Sequence, residues 1–256
     1  MALTKSQINK LGEKLRHEAI DADNLERLQD LRTLYDAPMA KAQAALKEKL
    51  RLDATSRLKT VNTIIDKLRR EKMRLAEMQD IAGLRIVEEM GLGTQNQMVE
   101  RIAGLFDGAR IVDRRQHPSY GYRAVHVIPE VHGYPVEIQV RTRLQDLWAQ
   151  SMERLGDQAG REVRYGGVPE GWEGVVQRLM SLSDTFRQIE EHIESIRTER
   201  TRLPPPREAS SGQRELRLLR TRLDARLKSL QTDLTKLCDA IRDNLRGLVE
   251  GSKNDT

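Results

Sequence analysis

The stretch that decides the fold is YRAVHVIPEVHGYPVEIQVR, residues 122–141. Its two ends, YRAVHVIP and YPVEIQVR, are rich in β-branched residues and have the character of strands. The four residues EVHG between them are short enough to join these strands as an antiparallel hairpin. In the second strand, alternation puts Glu137, Gln139 and Arg141 on one face and apolar residues on the other. Such a polar face indicates either a lined cleft or a strand that faces solvent.

Two more extended runs lie upstream, AGLRIV at 82–87 and ARIVDRR at 109–115. Between them, Met98, Ile102 and Leu105 recur at the spacing of a helix. After Thr142 the helical pattern returns. The order helix, strand, helix, three strands, helix predicts an α+β unit.

Helical patterns flank this unit on both sides. We predict an N-terminal helical region at 1–50, the α+β domain at 51–167, and a C-terminal helical extension at 168–256. Three consecutive prolines predict a loop at 203–212, which would make the extension a helical hairpin. From Leu216 to Leu248, leucine and isoleucine recur at alternating spacings of three and four. This stripe fits a helix packed on its own chain as well as it fits a coil with a second chain.

Composition restricts the kinds of partner. The 256 residues carry a net charge of +5, which favours anionic partners such as nucleotides, RNA or acidic proteins. No run of about 18 apolar residues is present, so we expect no membrane span. The start of the chain lacks a signal-like apolar segment, and Cys238 is the one cysteine, so we expect a cytoplasmic protein.

A group of cations precedes the first extended run. If Asp53, Thr55 or Ser56 caps a helix, Lys59 and Lys67 share one face of it, with Arg57 one turn before. That arrangement suits a polyphosphate, although basic residues on a solvated helix face are the commoner explanation.

Two charged residues mark the first strand. Asp80 leads into it, where a rigidly held carboxylate suits Mg²⁺ but could equally be a cap or turn residue. Arg85 lies within GLRIV and needs a partner or a ligand. Near the third strand, Gly121 would let the ring of Tyr122 lie at a cleft mouth and stack on a base; an ordinary core tyrosine is the alternative.

Taken in order, these motifs resemble the synthetase domains of RelA/SpoT proteins. The resemblance is carried by R-x-K with a lysine ten residues after the arginine, then DIAGLRI, GY-x-x-x-H and EIQ-x-RT, and covers about residues 51–155. It implies a nucleotidyltransferase-like fold with a mixed β-sheet flanked by helices. It also implies transfer of the β,γ-pyrophosphate of ATP to a ribose 3′-hydroxyl, with Mg²⁺ as cofactor.

The resemblance also implies roles for individual residues. On the ATP side, Arg57 and Arg85 would sandwich adenine, and Lys59 and Lys67 would hold the phosphates. Asp80 and Glu137 would bind Mg²⁺, and Glu137 would also activate the acceptor hydroxyl. On the acceptor side, Tyr122 would stack on the base, and the side would be lined by Gln139, Arg141 and His126.

The acceptor stays open. GDP or GTP is the commoner acceptor in the family, but its lysine-bearing stretch before the GY motif is replaced here by residues 113–121 without a lysine. Some small members are toxins that pyrophosphorylate the 3′-CCA end of tRNA. Arginines on the C-terminal extension could hold tRNA phosphates, although a solvated helix surface is the commoner explanation for them. A third reading is an inactive nucleotide-binding protein. An antitoxin or a second copy could bind the leucine-rich helix.

Overall fold

The computed structural model describes residues 4–17, 21–203 and 211–251, and these form two compact units. The first unit contains Met1–Glu88, Asn96–Arg114 and Ala124–Arg141. The second contains Glu89–Gln95, Arg115–Arg123 and Thr142–Thr256. The predicted boundaries at residues 50 and 167 follow the order of the sequence, whereas the two units interleave along it, so those boundaries stay a prediction.

The first unit begins with helices. They are α1 (Lys5–His17), α2 (Ala22–Thr33) and α3 (Asp36–Ala45), which continues as a π-helical turn at Leu46–Leu50. Asp21 caps α2 because its side chain accepts from the backbone N–H of Asn24. Leu28 and Leu31 are fully buried, as expected for an amphipathic helix. The predicted N-terminal helices are confirmed.

A six-stranded sheet follows, with the strand order β1-β2-β6-β4-β3 and β5 paired to β6. The strands are β1 (Thr55–Leu58), β2 (Ala82–Glu88), β3 (Arg110–Asp113), β4 (Val125–Ile128), β5 (Glu130–Val131) and β6 (Tyr134–Thr142). The pairs β1–β2, β3–β4, β4–β6 and β5–β6 are antiparallel. The predicted hairpin is confirmed, and its connection is tighter than predicted because β5 pairs with β6 around His132 and Gly133.

Alternation along the central strands separates two faces. Val136, Ile138 and Val140 of β6 are fully buried, and so is Ile86 of β2. Helix α3 contacts β2 and β1. One face of the sheet therefore forms the apolar core of the first unit, and the alternate positions carry the polar residues.

One helix begins later than the sequence suggested. Helix α4 spans Val61–Glu71, and its N-cap is Thr60, which accepts from the backbone N–H of Thr63. The prediction that Asp53, Thr55 or Ser56 caps it was wrong, since Thr55–Leu58 forms the edge strand β1. Arg57 therefore belongs to a strand.

The second unit is helical. Helix α6 (Arg143–Ala159) starts with a capping box in which Thr142 and Gln145 bond each other's backbone N–H groups. It packs with α7 (Glu173–Arg202) and α8 (Ser211–Gly251) around a hydrophobic cluster that includes Trp148. Helix α5 (Leu92–Ala103) begins in this unit and continues into the first.

Helices α7 and α8 form the predicted C-terminal hairpin. Most of the predicted proline-rich loop, residues 204–210, lies outside the described residues, and its last two residues are the first two of α8. Within the leucine stripe, Leu223 is buried and Leu234 packs against the hydrophobic cluster, so this part of the stripe packs on its own chain.

Among the helices of the described ranges, none has a stretch both long and apolar enough to cross a membrane. The α+β class with a sheet flanked by helices is confirmed.

Candidate functional site

The Asp80 carboxylate lies at the centre of a cationic group. Its Oδ2 atom accepts hydrogen bonds from Lys59 Nζ and Lys67 Nζ, each at 2.9 Å. Its Oδ1 atom is buried and, among the described residues, has no hydrogen-bond partner. Burial raises the pKa of Asp80, but the charges of the two lysines and their hydrogen bonds outweigh it, so the pKa lies below its ordinary value. The lowered pKa favours the ionised carboxylate, and Oδ1 is the oxygen that receives no hydrogen bond from the described residues.

Three elements bring this group together. Lys59 follows β1 directly, and its backbone N–H donates to Ile81 O at 2.8 Å, which extends the β1–β2 pairing to Ile81, the residue after Asp80. Lys67 comes from α4. The prediction that Lys59 and Lys67 lie on one face of a single helix was therefore wrong, although both lysines contact Asp80.

A row of polar side chains runs along β6. Glu137 Oε1 lies 2.9 Å from His126 Nδ1, and Glu137 Oε2 accepts from Gln139 Nε2 at 2.7 Å. Gln139 Oε1 accepts in turn from an Arg141 guanidinium nitrogen at 2.7 Å. His126 is opposite Gln139 in the β4–β6 register, which explains its contact with Glu137. The side chains of His126 and Glu137 are only 6% and 12% exposed, so both are largely shielded from solvent.

The charge of Asp80 acts on Glu137. Burial raises the pKa of Glu137, and the Asp80 charge acts in the same direction, but the hydrogen bond and charge of His126 and the hydrogen bond from Gln139 lower the pKa below its ordinary value. The lowered pKa values of Asp80 and Glu137 favour the ionised form of both carboxylates.

These donors fit a magnesium ion. Mg²⁺ in nucleotide enzymes is bound by one or two carboxylates, with waters and substrate phosphates completing the octahedron. Asp80 Oδ1 is a buried carboxylate oxygen to which none of the described residues donates a hydrogen bond, which is the kind of atom such an ion would satisfy. In the part of the chain that the structure describes, no group of three or more His, Cys, Asp and Glu side chains could hold a metal. The fit therefore rests on the carboxylates of Asp80 and Glu137.

Arg57 and Arg85 lie on neighbouring strands. Arg57 is opposite Gly83 and Arg85 is opposite Thr55 in the β1–β2 register, so the two arginines are diagonal neighbours on one face. Arg57 is exposed and Arg85 is half-buried. Diagonal neighbours in such a ladder are separated by about 7–8 Å. That separation suits a flat ligand held between two guanidinium groups.

Tyr122 belongs to the second unit, unlike the other predicted site residues. Its ring is partly buried against the hydrophobic cluster of α6 and α7. It ends a tight turn, since its backbone N–H donates to Ser119 O at 3.0 Å. Tyr122 therefore packs in part like the core tyrosine that was the alternative interpretation.

Two residues with no predicted role support the site, and a third, Arg123, is held within the second unit. Arg32 of α2 donates to Lys59 O, and Gln43 of α3 donates to Ala54 O, each at 2.7 Å. Arg123 is buried and bonded to α7 within the second unit. A charged residue inside YRAVHV was a usable signal for Arg123, by the argument applied to Arg85. The helix positions of Arg32 and Gln43 carried no such signal.

A family model and a curated relative both connect this chain with RelA/SpoT proteins. Residues 56–154 match the model of the region found in RelA / SpoT proteins. The GTP pyrophosphokinase YjbM of Bacillus subtilis is 32% identical over 161 residues, which are 57% of this chain and 71% of that protein. An uncharacterised protein of Mycobacterium tuberculosis is 47% identical over 119 residues, 45% of this chain and 44% of that protein. The chain thus spans less than half the length of this mycobacterial relative.

Among solved structures, the crystal structure of small alarmone synthetase 1 from Bacillus subtilis bound to its product pppGpp is 26% identical. The alignment covers 67% of this chain and 98% of that one, with a TM-score of 0.49.

Proposed function

This chain belongs to the RelA/SpoT family, and we propose from that premise that it transfers the β,γ-pyrophosphate of ATP to a ribose 3′-hydroxyl. The observation that carries the proposal is the Asp80 carboxylate. One of its oxygens accepts hydrogen bonds from two lysines, the other has no hydrogen-bond partner among the described residues, and the Asp80 charge acts on Glu137. Pyrophosphate transfer requires positioning and charge neutralisation more than covalent chemistry, and this arrangement supplies both.

Magnesium is part of the proposal. Asp80 and Glu137 would hold the ion, which neutralises developing charge on the transferred phosphates when it is bound. Lys59 and Lys67 would neutralise the remaining phosphate oxygens as point charges. Each lysine donates a hydrogen bond to the same Asp80 oxygen, which fixes both ammonium groups before ATP binds. The two side chains therefore need little reorganisation when the phosphates arrive.

Glu137 is the proposed proton acceptor. The 3′-hydroxyl oxygen of the acceptor attacks the β-phosphorus of ATP, the bond from that phosphorus to the α–β bridging oxygen breaks, and AMP leaves. The hydroxyl proton passes to Glu137, whose lowered pKa keeps it ionised at neutral pH. His126 and Gln139 orient the carboxylate through its two oxygens.

The arginine pair on β1 and β2 is the proposed adenine site. Guanidinium planes stack on flat rings, and Arg57 and Arg85 are diagonal neighbours on one face of the sheet. Gln139, Arg141 and His126 are the proposed acceptor side, with Tyr122 as the stacking ring for the acceptor base.

GDP or GTP is the proposed acceptor. A relative that this chain aligns with over 71% of its length is named a GTP pyrophosphokinase, which supports this choice. The 3′ end of tRNA is the second candidate, because residues 113–121 lack the lysine found before the GY motif in the family.

The decisive experiment uses ATP labelled at the γ-phosphate, with Mg²⁺ and either GDP and GTP or deacylated tRNA. We expect label in the guanosine nucleotides and equimolar AMP. Label in tRNA alone would replace the proposed acceptor. Label in neither, with ATP still bound, would support the inactive nucleotide-binding reading.

A further inference from the structure

The turn that carries Tyr122 has an unusual backbone. Residues 119–122 form a tight turn in which Tyr120 and Gly121 have φ angles of +50° and +82°. Two positive φ values at the central positions are typical of a type I′ turn, in which glycine, asparagine and aspartate are the usual residues. A tyrosine at the first of them is strained, and such strain persists only where the surroundings hold it in place.

Helices α6 and α7 hold this turn inside the second unit. The Ser183 hydroxyl donates to Gly121 O at 2.5 Å. A Cβ atom at Gly121 would lie 2.6 Å from a ring carbon of Trp148, so a larger residue cannot fit there. Trp148 is fixed in turn, because its indole N–H donates to Leu179 O on α7 at 2.6 Å.

Arg123, which follows Tyr122 in the chain, is also fixed by hydrogen bonds within the second unit. One guanidinium nitrogen donates to Arg115 O at 2.6 Å, and another lies 2.8 Å from a carboxylate oxygen of Asp184. Its Nε donates to the Ser183 hydroxyl oxygen at 3.2 Å. Ser183 therefore links the residues on both sides of Tyr122, and it is 2% exposed.

We propose that Ser183 and Asp184 of α7 are positioning residues for the acceptor, because they fix the strained turn and with it the ring of Tyr122. The C-terminal hairpin then has a part in acceptor recognition, although it holds no proposed catalytic residue. This inference rests on the proposed function for the role of Tyr122. The anchoring of the turn rests on the contacts above.

The test compares Ser183→Ala with Thr185→Ala, a matched control on the same helix. The Thr185 hydroxyl is exposed and donates only to its own helix, at Ser181 O. We expect Ser183→Ala to raise the KM for the acceptor about three- to tenfold, the loss that corresponds to one or two hydrogen bonds, with the KM for ATP unchanged. Hydrogen exchange at residues 119–123 should become faster in Ser183→Ala and stay unchanged in Thr185→Ala.

A second pair covers the case in which Ser183→Ala does not fold. Asp184→Asn keeps the side-chain shape and removes the charge beside Arg123, at a position that is 62% exposed. Its control is Glu191→Gln, which removes an exposed ion pair with Arg187 on the same helix. We expect the same rise in acceptor KM for Asp184→Asn alone.

An acceptor KM equal to that of the controls, or equal rises in both KM values, would overturn the positioning role. Unchanged exchange at residues 119–123 in both variants would overturn the anchoring itself. If the wild-type protein labels neither acceptor, the proposed function fails and the acceptor role falls with it. In that case the exchange rates still decide whether Ser183 holds the turn.

Discussion

At the scale of single residues, the two carboxylates of the site differ in how their oxygens are occupied. Both Glu137 oxygens accept hydrogen bonds, from His126 and Gln139, whereas Asp80 uses one oxygen for two lysines. Glu137 is therefore fixed in direction, which suits proton transfer at a defined position. Asp80 keeps a buried oxygen that has no hydrogen-bond partner in the described part of the chain, which suits a metal ligand.

We expect Glu137→Gln to abolish pyrophosphate transfer and leave the fold intact. The amide keeps the shape of the side chain but can neither accept the proton nor carry the negative charge. Transfer of labelled pyrophosphate and the thermal midpoint measure the two effects. Glu130→Gln is the control, since Glu130 is an exposed glutamate on β5. Near-normal turnover by folded Glu137→Gln would remove this residue from the proposed reaction.

The lysine pair leads to a second prediction. Lys59→Ala and Lys67→Ala should each weaken ATP binding by roughly ten- to a hundredfold, because a charge-assisted hydrogen bond contributes about 1.5–3 kcal/mol. Titration calorimetry with a non-hydrolysable ATP analogue and Mg²⁺ would measure it. Lys49→Ala removes an exposed lysine and serves as the control. Unchanged affinity in both variants would return these lysines to the role of a solvated basic surface.

At the scale of elements, the edge strand β1 depends on the N-terminal helices. Gln43 of α3 donates to Ala54 O just before the strand, and Arg32 of α2 donates to Lys59 O just after it. Both ends of the strand that carries Arg57 are thus held from outside the sheet. A four-residue edge strand has few ladder hydrogen bonds, so these contacts matter for its position.

Arg32→Ala should therefore weaken ATP binding although Arg32 is not a proposed ligand of ATP. We expect a loss of about three- to tenfold, the effect of one net hydrogen bond on the placement of Lys59. Arg27→Ala, which removes an exposed ion pair with Asp23 on the same helix, should change little. The measurement is ATP affinity at a temperature well below both thermal midpoints. Equal affinities for the two variants would contradict the role of Arg32.

The sequence predicted the long strands and helices because their patterns repeat over many residues. It did not predict β1, since TSRL is short and polar and continues into a helix capped by Thr60. Alternation alone predicted that the polar residues Glu137, Gln139 and Arg141 lie on one face of β6, as the contacts between them show. The contacts that fix them come from residues far apart in the chain, such as Arg32 with Lys59, and no local pattern marks those pairs.

Glu190 of α7 gives a prediction about pH. Burial raises its pKa, and hydrogen bonds from Thr142 and Gln145 and the charges of Arg115 and Arg123 only partly oppose this. A group with a raised folded-state pKa stabilises the fold below its unfolded pKa, and this contribution is lost as pH rises through the folded value. The thermal midpoint of the wild type should therefore fall relative to that of Glu190→Gln as pH increases from about 5 to about 8. A constant difference across that range would show that Glu190 does not titrate abnormally.

At the scale of the whole molecule, arginines of the C-terminal hairpin bear on the choice of acceptor. Arg200 is bonded to Asp224 across the hairpin, and Arg217 and Arg220 lie on α8, the first exposed and the second half-buried. Arg207 and the side chain of Arg214 lie outside the described residues. Pairing within the hairpin reduces the charge available to tRNA at Arg200 and leaves α8 as the surface to test. Binding of α8 to an antitoxin or a second copy stays a prediction.

We expect the double reversal Arg217→Glu with Arg220→Glu to leave ATP affinity unchanged, since neither residue belongs to the group around Asp80. If tRNA is the acceptor and α8 holds its phosphates, the same variant should bind tRNA more weakly, most clearly at low salt, because each phosphate contact releases counterions. The control is Lys10→Glu with Lys14→Glu, which lowers the net charge equally on the exposed face of α1. The measurement is tRNA affinity of both variants and the wild type at two salt concentrations. Equal affinities at both concentrations would reject a tRNA surface on α8 and favour a mononucleotide acceptor. A loss in the α8 variant alone would favour tRNA, because a general charge effect would weaken both variants alike.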